Sequence, residues 1–180
     1  MVSCQRPVFS VVLVMGAISL GVAITAWPVF RRHSEAMALW LLAITVIGVA
    51  GVLLEGIALH SMLGLSQGFV KAGAADAGRF QALGAWATST RNSAHFTNFV
   101  ISGAGSLVFY LALFRFALVP RAISAPGLVA SVLLAAGGLI PLLGYPVQML
   151  LFVPIGLVGL ALMGWLLVKG FAEGTPLKYE

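Results

Sequence analysis

The sequence predicts an all-α, polytopic transmembrane helical bundle, and three observations carry that expectation. First, 61% of the 180 residues are hydrophobic and only 8% are charged, whereas a soluble domain carries about 25% charged residues. Second, the mean hydropathy is +1.07, and the apolar residues fall into long runs rather than the alternations of a half-solvated sheet. Third, the ten Lys and Arg residues are scattered as flanks of those runs, where membrane topology places them. The formal net charge of +5 therefore does not point to nucleic acid, which needs clustered basic patches on a soluble fold. The chain holds about five spans of roughly 20 residues with short loops, which leaves no room for a separate soluble domain and makes residues 1–180 one transmembrane domain. Cys4 is the sole cysteine, so no intrachain disulfide and no paired-thiol metal motif is possible.

The first span, about 7–30, ends at Arg31-Arg32-His33. It is too long for an ordinary signal-peptide core and lacks a clear small-residue cleavage site. Ala17, Gly21 and Thr25 recur every fourth residue, a stripe that suits close approach of another helix. The second run starts at Met37 and continues to about Val70. Its span is read as 37–66, and the run either protrudes or breaks near Gly64 to Gly68. Lys71–Ala77 is the clearest loop by composition, with Asp76 a candidate N-cap. Residues 77–90, with Phe80, Leu83 and Trp86, read as an interfacial helix or as an extension of the next span.

The third span, about 92–118, closes on Arg115 and Pro120-Arg121. The fourth, about 122–144, has Pro126 as a first-turn proline, a second small stripe (Gly127, Ser131, Ala135) and a terminating Pro141, Gly144 and Pro146. The tight Gly144-Tyr145-Pro146 turn predicts that spans four and five are antiparallel neighbours. The fifth, about 147–171, is expected to kink at Pro154 and to anchor through Trp165 and Lys169. Residues 172–180 form a polar tail. Arg31, Arg32, Arg115, Arg121, Lys169 and Lys178 fall on one side of a five-span topology, and Arg6, Lys71, Arg79 and Arg91 on the other. That bias predicts a cytoplasmic C-terminus.

The segments WPVFRRHSEAMALW (27–40), LSQGFVKAGAADAGRFQALGA (65–85), LFRFALVPRAISAPGLVAS (113–131) and LMGWLLVKGF (162–171) resemble the bacterial membrane-protein family known as domain of unknown function 4386. The resemblance covers most of the chain from about Ala26 onward. It implies a multi-pass bundle in the bacterial inner membrane, usually with one more N-terminal span, so this chain is expected to lack the customary first helix. It implies no activity.

Chemistry, if the chain has any, gathers on one helical face. Thr88, Arg91, His95, Asn98, Ser102 and Ser106 are spaced three or four apart. Glu55 and His60 are the ionisable groups inside the second run. With Glu55 about 27 Å along that helix from Met37, it lies near the end where the third span begins. Glu55, His60, Arg91, His95, Asn98 and Ser102 are therefore the candidate polar or ligand cluster. Intramembrane polar residues of this kind are functional candidates by default, and also common helix-to-helix glue. The expected role is binding a small molecule, lipid or ion in that half of the bundle. The alternative is a structural or accessory subunit, with another membrane protein or a second copy as partner besides the lipid bilayer, and no nucleic acid. No HExxH motif and no paired aspartates are present, and no catalytic residue is expected. A metal or haem site from Glu55, His60 and His95 is disfavoured because positions 55 and 60 lie about 140° apart around a helix, so no cofactor is expected.

Overall fold

The computed structural model describes residues 5–72 and 77–171. Asp76, Cys4 and the 172–180 tail lie outside that range. Five α-helices follow in order: α1 (Gln5–Arg31), α2 (Glu35–Ala72), α3 (Ala77–Arg115), α4 (Arg121–Leu142) and α5 (Val153–Lys169), with a 3₁₀ turn, Met149–Phe152, leading into α5. No strand occurs among the described residues. All five helical segments are long and apolar enough to cross a membrane when the 3₁₀ turn is counted with α5. Each helix packs antiparallel on its neighbour in sequence.

The two longest helices are continuous. α2 shows no break at Gly64 or Gly68 and runs 38 residues, about 57 Å. Residues 77–90 take the second of their two forms, extending the third span into a 39-residue helix. Gly64 and Gly68 lower helix propensity only about 1 kcal/mol each, and no proline sits nearby to remove a backbone donor.

The charged residues Arg31, Arg32, Glu35, Arg115, Arg121 and Lys169 all lie at one end. The apolar core sits just inside that end, where Phe30, Ala38, Leu113, Phe116 and Leu162 pack together. Edge-to-face contacts from Phe30 to Phe109 and Phe171, at 5.8 and 6.4 Å, tie α1 to α3 and to the residues after α5. Lys169 lies 4.8 Å from the Trp165 ring, an amphipathic pair suited to an interface. About 20 residues up each helix, roughly 30 Å from this end, α4 ends and the 3₁₀ turn begins. Residues 5–10 of α1 pass that level too, and α2 and α3 continue further as a projecting hairpin.

The α2–α3 pair keeps a constant register. Ile44 meets Gly105, Gly48 meets Ile101, Gly51 meets Asn98, and Glu55 meets His95. The α3–α4 pair is closer still. A Cβ on Gly103 would lie 2.6 Å from the Ala135 nitrogen, and one on Gly138 would lie 2.7 Å from the Phe96 carbonyl. Gly127 admits the Tyr110 ring, and Ser131 is fully buried, its hydroxyl donating to the Gly127 carbonyl at 2.7 Å. The Gly127–Ser131–Ala135 stripe therefore works inside the fold. The Ala17–Gly21–Thr25 stripe does not: all three are exposed, and nothing lies within 4 Å of a Cβ placed on Gly21. On α1, Gly16 takes the α2 contact instead, against Val49.

Three helix ends differ from expectation. α3 stops at Arg115, where Ala117 adopts φ 50°. The Leu118 amide then donates to Leu113 and the Ala117 amide to Phe114, a Schellman closure built without glycine. Gly144 closes α4 in the same way at φ 88°, with the Tyr145 amide donating to Ile140. Pro126 lies a turn inside α4, because Pro120 caps it and Arg121 opens it. Pro154 produces no kink, because α5 starts at Val153 and places it in the first turn, where a missing N–H costs nothing.

Candidate functional site

The site is built where α2 and α3 cross the level at which α4 ends. Glu55 Oε1 lies 2.8 Å from His95 Nδ1 and 3.5 Å from Arg91 Nη2. A carboxylate only accepts, so the imidazole donates through a proton on Nδ1. Arg91 also donates from Nη1 to Asn92 Oδ1 at 3.2 Å. The Glu55, His95 and Arg91 side chains are 20, 30 and 34% exposed, so the group sits at a boundary rather than in a sealed interior. The His95 ring is held from its sides by Phe99, at 4.5 Å between centroids, and by Phe96 at 5.6 Å. Phe99 in turn meets Phe152 of the 3₁₀ turn at 4.8 Å. The histidine is thus fixed by both a hydrogen bond and packing.

Both polar contacts of Glu55 fall on the same oxygen, Oε1. One helical turn toward the charged end, Asn98 presses its Oδ1 against Gly51, where an added Cβ would sit 2.9 Å away. That oxygen is buried without a hydrogen-bond partner among the described residues, as is Arg91 Nε. An unmet buried polar group costs about 1–3 kcal/mol, so two such atoms beside one ion cluster mark a place not optimised for stability alone.

A cavity of about 580 Å³ opens between α1, α2 and α3, and Glu55, Asn98, Ser102 and Ser106 line it. Ser19 and Thr45 face it too, but their hydroxyls are spent on the Met15 and Leu41 carbonyls. The rest of the wall is apolar, from Val11 and Leu59 at one end to Phe30, Ala38 and Phe109 at the other. Its volume is in the usual range for ligand pockets, about 300–1,000 Å³.

Of the residues singled out from sequence, Glu55, Arg91 and His95 come together, and Asn98, Ser102 and Ser106 continue from them along the cavity wall. His60 does not join: it is exposed, five residues beyond Glu55 and on another face. Thr88 is also separate, lining a smaller cavity between α2 and α3 near Phe69 and Phe80. Sequence reasoning missed the contribution of α1, the role of Gly51 and the Phe99–Phe152 buttress. Gly48 and Gly51, side by side on the helix that carries Glu55, were the available signal. Among the described residues no three His, Cys, Asp or Glu side chains gather as a metal-binding group.

Fold and site together define a polytopic helical membrane protein with a polar cluster beside an apolar groove. The chain belongs to the family described as "Domain of unknown function (DUF4386)", whose model matches residues 6–170. No curated protein and no solved structure matches the chain.

Proposed function

We propose that this protein binds an amphiphilic small molecule or lipid between α1, α2 and α3, with its polar end at Glu55 and its apolar part along the groove. The observation that carries the reading is that Glu55 belongs to both features: it is the centre of the ion cluster and part of the cavity wall. A residue needed only to join α2 to α3 has no reason to face an open apolar groove. The groove runs from the cluster to Phe30 and Phe109, a depth of about 25 Å, which is the scale of one lipid chain. In a bacterial inner membrane with the C-terminus cytoplasmic, the orientation favoured by the basic residues, the cluster faces outward.

Trp27 lines the groove near its charged end and serves as the reporter. A variant keeping Trp27 as its only tryptophan is placed in nanodiscs of ordinary lipid. A single-chain amphiphile brominated at the chain end is then titrated in. Binding predicts saturable quenching near one equivalent, lost in Ser102→Phe, which fills the groove from an exposed lining position. Weak, non-saturating quenching that is equal in both proteins sinks the reading.

One observation favours a second role. Glu55 of α2 forms ion pairs with both Arg91 and His95 of α3. The cluster therefore also fastens α2 to α3, as an accessory or structural subunit requires.

A further inference from the structure

Resting on that binding reading, the cavity's polar atoms identify the head group it selects. Glu55 spends Oε1 on His95 and Arg91, and no hydrogen bond among the described residues engages Oε2. An ionised Oε2 is a pure acceptor. Asn98 has its Oδ1 closed off against Gly51, so the amide nitrogen, a pure donor, is the polar atom it has left for the cavity. Ser102 and Ser106 follow along the same wall and can give or take a proton in a hydrogen bond.

The charges are arranged just as asymmetrically. The carboxylate lines the cavity, whereas Arg91, which balances it, does not. An anionic head entering from the groove meets Glu55 before any cation, and like charges repel. A protonated amine satisfies Oε2 but offers nothing to the Asn98 amide, and it adds a second cation beside Arg91. A hydroxyl can donate to Oε2 and can accept from Asn98, and it brings no charge.

We infer that the groove selects a neutral, hydroxyl-headed single-chain amphiphile, of the fatty-alcohol, isoprenoid-alcohol or monoacylglycerol type, over the matching acid or amine. The chain lies along α3 past Ser102 and Ser106 toward Trp27 and Phe30. Arg91 and His95 hold the carboxylate in place and touch no ligand atom.

The test uses three chain-end-brominated probes of about eighteen carbons, an alcohol, a carboxylic acid and an amine, with Trp27 quenching of the full-length protein carrying Trp27 as its only tryptophan in neutral-lipid nanodiscs. The alcohol is expected to bind about tenfold more tightly than either charged probe, the scale of one mismatched polar contact. Glu55→Gln keeps an acceptor and removes the charge. It should bring the acid to within about twofold of the alcohol. The ratio is measured within one variant, so a change in the folded fraction cancels. A preference for the acid or amine that Ser102→Phe abolishes overturns the head-group inference and leaves the groove-binding reading standing. Quenching by none of the three probes overturns both. An alcohol-to-acid ratio unchanged in Glu55→Gln overturns the role given to Glu55.

Discussion

Glu55 is the residue on which the site turns, and its neighbours explain why a carboxylate is tolerated at that depth. It shares one oxygen between an imidazole and a guanidinium, at a level where both partners still reach water. Partly exposed pairs contribute little, typically below 1 kcal/mol. A double-mutant cycle of Glu55→Gln with Arg91→Ala should therefore return a coupling of about 0.5–1 kcal/mol in detergent unfolding; strictly additive losses would show that the two do not interact. His95→Phe keeps the packing against Phe99 and loses the 2.8 Å hydrogen bond. It should lower stability by about 1–2 kcal/mol, and His60→Phe, at an exposed position apart from the cluster, by less than about 0.5 kcal/mol. The polar face of α3 was legible because a 3–4 spacing in an apolar run has few other causes. That His60 stands aside was legible from the same helical geometry. Which oxygen of Glu55 is engaged was not, because it depends on a rotamer set by side chains 36 and 40 residues away.

At the scale of the elements, glycine does two different jobs. Gly103 and Gly138 permit backbone contact between α3 and α4, and such close approach replaces the hydrophobic driving force that lipid cannot supply. Gly103→Val should cost about 3 kcal/mol or more, because the obstacle is the Ala135 backbone rather than a movable side chain. Gly21→Val, with open space around it, should change stability by less than about 0.5 kcal/mol; equal losses at the two sites would refute the packing assignment. At the end of α3 the opposite change is informative. Ala117 occupies the left-handed region at φ 50°, which costs an L-residue roughly 1 kcal/mol or more. Ala117→Gly should accordingly raise stability by about 1 kcal/mol in a thermal or denaturant melt. A sequence reader looks for glycine at a helix stop. Here the stop is imposed by Leu113 and Leu118 burying themselves on either side of the turn, so α3 ends at Arg115, three residues before the predicted 118. The 117 position shows packing overriding local preference.

At the scale of the whole molecule, the unequal helix lengths set the site's depth. α4 is 22 residues long and α3 is 39, so about 17 residues of the α2–α3 hairpin on each side rise past the apolar slab. In a Cys4→Ser background, single cysteines at 60 and 79 should react with a water-soluble maleimide, whereas cysteines at 47 and 107 should not. Equal protection at all four positions would refute this placement. The expected labelling pattern would put the Glu55 cluster where the slab ends and the groove below it in the hydrocarbon.

The sequence by itself determined the class, the five spans, the charged end and the polar face of α3. Each of these is a one-dimensional pattern of hydropathy or spacing that the bilayer reads directly. Only the tertiary structure decided that α1 stands off from α3 and leaves a groove, that Gly51 seats Asn98, and that Gly127–Ser131–Ala135 packs inward while Ala17–Gly21–Thr25 faces out. The reason is physical. Two small-residue stripes are identical as spacing, and which one is used depends on the shape of the helix opposite, here the Tyr110 ring filling the notch at Gly127.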